Sequence, residues 1–141
     1  MLTDPLLRRT GSLREGRHGT VLVVDDEPAM VRLLRLVLAG EGFTVIEAHG
    51  AAQAVEVAAR HAGPIHLLLT DANLPPLSGR QLAERLRAAR PAVRVLYMTT
   101  DPGPKDLLGV DVVTKPLGVS ALVRRVREQL RASLTDHPAE H

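Results

Sequence analysis

Short aliphatic runs, each closed by polar residues, constrain the fold of this chain more than any other feature. Thr20-Val21-Leu22-Val23-Val24 ends at Asp25 and Asp26, and Ile65-His66-Leu67-Leu68-Leu69-Thr70 ends at Asp71. Val93 to Met98 ends in Thr99-Thr100, Val110 to Thr114 ends at Lys115-Pro116, and Phe43-Thr44-Val45-Ile46 is a further short run. Unbroken apolar runs of this length read as strands covered on both faces, as in a parallel sheet.

Between the runs the apolar spacing changes to that of helices. Pro28 suits the first turn of a helix in which Val31, Leu34, Val37 and Leu38 repeat, and Gly40 and Gly42 end it. Ala51 to Arg60 is an alanine-rich helix with Val55 and Ala58 inward, ended near Gly63-Pro64. A loop, Ala72 to Leu77, leads into a third helix, where Ser78 and Gln81 have capping-box spacing and Leu82 and Leu86 form the buried stripe. Leu122, Val123, Val126 and Leu130 mark a final amphipathic helix. Strands alternating with helices predict an α/β fold with right-handed crossovers, a doubly wound sheet of five parallel strands. The crossover from Asp101 to Gly109 departs from this plan. It holds Pro102, Gly103 and Pro104 in a short stretch, whereas a parallel crossover takes about a dozen residues or more. The fourth helix is therefore expected to be shortened or missing.

A chain of 141 residues suits one domain with short tails. Residues 1–19, rich in Arg, Gly and Ser, read as a flexible N-terminal arm; residues 20–130 form the domain, and residues 131–141 a C-terminal tail. Arg8, Arg9, Arg14 and Arg17 of the arm read as solvated charges. With no cysteine, disulfides and thiolate metal sites are excluded, which suits a cytoplasmic location. No apolar stretch approaches the ~20 residues that span a bilayer, and Arg8 and Arg9 interrupt any signal-peptide core. A net charge of +2 is too small to argue for nucleic acid. A single Phe and a single Tyr argue against base stacking.

In open parallel sheets, ligands collect beyond the carboxyl ends of the strands. Asp25, Asp26, Asp71 and Lys115 stand at such ends and define one acidic pocket for a cation and for phosphate chemistry. Unit charges ~5 Å apart at an effective dielectric near 20 repel by about 3 kcal/mol per pair. Crowded carboxylates thus call for a neutralising cation. All-oxygen ligands favour Mg²⁺, with Mn²⁺ as its substitute, over zinc. The scattered histidines (His18, His49, His61, His66, His137, His141) read as structural or solvated, with His66 a hydrogen-bonded strand residue.

Val23-Val24-Asp25-Asp26, Leu68-Leu69-Thr70-Asp71 followed by Leu74-Pro75 and Gly79, Met98-Thr99, and Thr114-Lys115-Pro116 together resemble the receiver domain of bacterial response regulators, over roughly residues 20–130. The wording around Asp71, Leu82 to Leu86 and Val95 to Met98 is most similar to receivers at the C-terminus of hybrid sensor histidine kinases. The resemblance implies a flavodoxin-like fold and two-component signalling or a phosphorelay. In it Asp71 takes a phosphoryl group from a histidine kinase or histidine phosphotransfer protein. It implies that Asp25, Asp26, Asp71 and the backbone carbonyl of Asn73 hold Mg²⁺. The phosphoryl group would meet the Thr99 hydroxyl, the Thr100 backbone NH and Lys115, and the Lys115–Pro116 peptide bond would be cis. Glu27 is expected to be solvated. The partners implied are the phosphodonor protein and no membrane, with a monomer or weak dimer, and nucleic acid is not expected.

This chain departs from the family in three places. Thr100 replaces a small residue, Val112 replaces an aromatic residue three positions before the lysine, and Leu74 and Leu77 replace methionines. Many receivers couple phosphorylation to output through that aromatic side chain and the fourth helix, so output here is expected through the Asp71 loop and the first or last helix. A pseudo-receiver, acting as a phosphorylation-independent interaction module, is the alternative. A phosphatase of the haloacid-dehalogenase type would need a second aspartate two positions after the nucleophile, where Asn73 stands and cannot serve as acid or base.

Overall fold

The computed structural model describes residues 19–100, 110–115 and 118–136, with side chains described as far as Arg131. The arm before Gly19, the shortened fourth helix expected within 101–109, the Lys115–Pro116 bond and the end of the tail fall outside the described residues.

Five strands, β1 (Thr20–Val24), β2 (Thr44–Ala48), β3 (Leu67–Asp71), β6 (Arg94–Thr99) and β7 (Val112–Thr114), form one parallel sheet in the order β2-β1-β3-β6-β7. Helices α1 (Pro28–Gly40), α2 (Ala51–Arg60), α3 (Gly79–Ala89) and α4 (Val119–Asp136) cover its two faces. This is the doubly wound sheet that the alternating apolar runs predict, in the flavodoxin-like order that the resemblance implies. Alternate strand residues point to opposite faces, which gives each face its own core. Leu22, Val24 and Leu68 pack with Ala51, Ala54 and Ala58 of α2 and Leu82, Ala83 and Leu86 of α3. On the other face Val21, Val23, Leu67 and Leu69 pack with Val31, Leu34 and Leu38 of α1 and Leu122, Val126 and Leu130 of α4.

The helix ends follow from local chemistry. Pro28 opens α1, and Gly42 leaves it at φ 97°, a conformation that L side chains resist. Ser78 caps α3 by accepting from the Gln81 N–H at 3.1 Å, while Gln81 Oε1 accepts from the Ser78 N–H at 2.9 Å. The backbone of α4 continues through Asp136, beyond Arg131. His66 is bound into the sheet as expected, accepting the Thr20 N–H on Nδ1 at 2.9 Å.

Two details differ from the sequence reading. Val55 is 38% exposed, and the inward face of α2 is built from Ala51, Ala54 and Ala58. These alanines are spaced three and four apart, so they define the buried stripe, and Val55 falls beside it. The loop after Asp71 also carries a small antiparallel ladder, β4 (Asn73–Leu74) with β5 (Leu77–Ser78), closed by a cis Pro75–Pro76 bond.

Arg90 ties the ends of α2 and α3 together. Its guanidinium donates to the carbonyls of Ala58 at 3.0 Å, His61 at 2.8 Å and Gly63 at 2.8 Å. Carbonyls at a helix C-terminus lack intrahelical donors and carry partial negative charge. Replacing Arg90 by Ala is expected to cost about 2 kcal/mol in urea denaturation. Arg90→Lys should recover less than half of that, because an ammonium cannot present the planar fork.

Candidate metal and phosphoryl site

Register assembles the site. Val24 pairs with Thr70 and Asp71 with Met98, while Thr99 pairs with Thr114. Asp25, Asp71, Thr99 and Lys115 therefore reach the same rim of the sheet. The ladder continues past the strands, with the Ala72 N–H on the Met98 carbonyl at 2.8 Å and the Lys115 N–H on the Thr99 carbonyl at 2.8 Å. These bonds fix the residue after Asp71 and the backbone of Lys115 itself.

Asp25, Asp26 and Asp71 each offer a carboxylate oxygen, and these oxygens lie within 4.8 Å of one another. Asp25 is buried, Asp26 exposed and Asp71 intermediate. The adjacent Asp25 and Asp26 thus both serve one pocket because the strand ends between them and the helix. Asp25 Oδ1 accepts the Glu27 N–H at 2.9 Å, and Asp71 Oδ1 accepts the Asn73 N–H at 3.0 Å. The other oxygens face Lys115, whose Nζ lies 2.8 Å from Asp25 Oδ2 and 3.2 Å from Asp71 Oδ2. Its ammonium draws two of the three acids together.

Burial pulls the Lys115 pKa down, but hydrogen bonds and charge attraction from Asp25 and then Asp71 outweigh it, and the net shift is upward from 10.5. A raised lysine contributes stability that is fully present below the unfolded-state value and lost as pH rises through the folded-state value. The stability difference between wild type and Lys115→Met is therefore expected to stay constant from about pH 7 to pH 9.5 and to shrink only above the ordinary lysine value, as read by urea melts. A difference that shrank between neutral and mildly alkaline pH would contradict this.

The remaining expected residues are placed unevenly. Thr99 is 7% exposed at the end of β6, and Thr100 follows it, exposed. Glu27 is exposed and outside the acidic cluster, yet its backbone N–H orients Asp25. Asn73 is held beside Asp71 through its N–H. Gly79 has a role that its place in the motif signalled without explaining. A Cβ there would overlap the Asp71 carbonyl oxygen and lie 3.1 Å from the Ala72 Cα. The Gly79 N–H donates to the Ala72 carbonyl at 2.8 Å, so α3 begins in contact with the acceptor loop.

The donor set fits Mg²⁺. Octahedral oxygens at 2.0–2.1 Å from the ion stand about 3 to 4 Å apart. Acids spread over at most 4.8 Å could therefore contact one ion directly or through a water. The exposed Asp26 leaves the solvent side open for the waters that Mg²⁺ retains.

Comparisons with known proteins agree with this geometry. A family model described as "Response regulator receiver domain" matches residues 21–127. The transcriptional regulatory protein KdpE of Mycobacterium tuberculosis is 39% identical over 116 residues, covering 79% of this chain and 50% of that protein. The DNA-binding response regulator MtrA of Mycolicibacterium smegmatis is 37% identical over 126 residues, covering 85% of this chain and 54% of that protein. The chain spans about half the length of the curated relatives it matches. Among solved structures, the receiver domain of the hybrid histidine kinase CckA superposes with a TM-score of 0.70 at 29% identity, covering 79% of this chain and 99% of that one. A receiver domain protein from Clostridium thermocellum, at 19% identity, shares the fold with a TM-score of 0.76, covering 83% of this chain and 98% of its own. The matched span, the acidic triad at the strand ends and these likenesses carry one conclusion: the chain belongs to the response regulator receiver domain family.

Proposed function

We propose that Asp71 is the residue at which this two-component receiver accepts a phosphoryl group. The observation that carries the reading is the half-buried Asp71 carboxylate, grouped with Asp25 and Asp26 and hydrogen-bonded to Lys115. A receiver is a phosphoacceptor signalling module rather than a turnover enzyme, and its family partners are histidine kinases. One Asp71 oxygen attacks phosphorus, the phosphorus–nitrogen bond of a phosphohistidine breaks, and the imidazole leaves with its electron pair and takes up a proton. Asp25, Asp26, Asp71 and the Asn73 carbonyl would hold Mg²⁺, which when bound offsets charge on the phosphoryl oxygens. Lys115 exchanges one carboxylate contact for a phosphoryl oxygen, the Thr99 hydroxyl donates to another, and the Thr100 N–H completes the cradle.

The donor is a histidine kinase or a phosphotransfer protein. Within the family, likeness to the CckA receiver at 29% identity supports a phosphorelay setting, and the similar regulators KdpE and MtrA support a transcriptional one. Val112 in place of the aromatic residue supports output through the Asp71 loop and α1 or α4, the first and last helices. Among the described residues no helix is long and apolar enough to cross a membrane, in keeping with a cytoplasmic domain.

Incubation with a radiolabelled small acyl phosphate tests the reading. Label is expected on the chain with Mg²⁺ or Mn²⁺ and not with EDTA, and beryllofluoride should compete. Absence of label at saturating Mg²⁺ would favour the pseudo-receiver.

A further inference from the structure

Helix α4 carries Ser120, Arg124, Arg127 and Arg131, spaced so that all four share one face. With Val119, Val123 and Glu41 they line an open groove of about 390 Å³ between α4 and the residue that follows α1. None of these residues belongs to the acidic pocket. Arg127 pairs with Glu41 at 2.6 Å. Arg124 and Arg131 are exposed and have no ion pair or hydrogen bond among the described residues.

A merely solvated helix face gains from opposite charges three and four residues apart and loses from like ones. Here Arg124 precedes Arg127 by three and Arg127 precedes Arg131 by four, so the face repels itself. Glu128, four residues after Arg124 and three before Arg131, lies instead 3.8 Å from Arg125. Within the lining of the groove, three guanidiniums therefore confront the Glu41 carboxylate along about 10 Å of helix axis. Val119, 51% exposed, adds an apolar anchor at the start of the face.

Groove shape and the Glu41 carboxylate select the occupant. One helix supplies nearly all of the lining, so a small anion would lack the enclosure that binds small ligands. Glu41 disfavours a uniformly anionic polymer or lipid surface, whereas a protein can set a donor opposite it. We propose that this groove docks an acidic amphipathic helix of a partner protein. Carboxylates at positions i, i+3 or i+4, and i+7 would meet the arginines, and an aliphatic side chain would meet Val119.

The test is a fluorescence-anisotropy titration of the full chain with a synthetic helix carrying Glu and Leu at those spacings. A scrambled peptide of the same composition is the control. The patterned peptide is expected to bind at least about tenfold more tightly than the scrambled one. An Arg124→Glu/Arg131→Glu double variant should weaken it by at least as much, and so should Arg124→Gln/Arg131→Gln if the first variant fails to fold by circular dichroism. Asp71 labelling should be unchanged in either, which separates this surface from the phosphoacceptor reading. Equal binding of the two peptides, no binding of either, or binding indifferent to both variants overturns the proposal. Tighter arginine-dependent binding of a DNA duplex or of phosphatidylglycerol vesicles overturns it too.

Discussion

An Asp71→Asn protein is expected to take up at least about 10³-fold less label from a small acyl phosphate than wild type, in filter-binding or intact-mass assays. The amide oxygen carries no formal charge and cannot form the acyl phosphate, so the chemistry stops while the architecture remains. The same oxygen can still accept the Asn73 N–H that Asp71 Oδ1 accepts at 3.0 Å. Lys115 keeps its 2.8 Å bond to the buried Asp25. Removing one carboxylate lessens repulsion within the acidic group and also one attraction to Lys115. These opposed contributions leave the expected stability change within about 1 kcal/mol. An unfolded variant would undo this reasoning about the fold. A folded variant that still accepted label would transfer the acceptor role to Asp25 or Asp26.

Gly79→Ala is the second large effect, and it acts through backbone rather than charge. The added methyl would overlap the Asp71 carbonyl oxygen, which belongs to the main chain and cannot rotate aside. Either α3 backs away, losing the 2.8 Å bond from the Gly79 N–H to the Ala72 carbonyl, or the loop holding Asp71 shifts. Overpacking plus a lost hydrogen bond is expected to cost about 3 kcal/mol in urea denaturation. Misplacing a reacting group by about 1 Å costs about 10²-fold in rate. Labelling should therefore slow by about that factor even in the folded fraction. A variant with wild-type stability and labelling rate would show that α3 has slack at its start.

Much of the fold is legible in the sequence because both cores are aliphatic apart from Tyr97 in one and Phe43 in the other, and the strands are short. Thr20–Val24 and Ala51–Arg60 begin and end where composition changes, and the Ser78–Gln81 reciprocal cap can be read from its spacing. The acidic group was legible for the same reason: each member directly follows or closes an apolar run. What stayed hidden depends on partners distant in sequence. Arg90 reads as a surface cation, and its three carbonyl partners lie 27 to 32 residues away. Val55 misled because valine outranks alanine in any apolar count, while the close-packed face of α2 is alanine. The resemblance implies that Lys115 meets a phosphoryl group, and the hydrogen bonds show what it does otherwise, bridging Asp25 and Asp71. The short β4–β5 ladder has too few residues for periodicity to detect.

Parallel pairing gives the two rims of the sheet different evolutionary freedoms. A slip of two residues in any central strand would carry its reactive group about 7 Å from its neighbours, so the strands that feed the carboxyl rim tolerate no change of register. The turns at the amino rim, which include Glu41, bear no such restriction. Lineages could retune recognition there while leaving the reaction untouched.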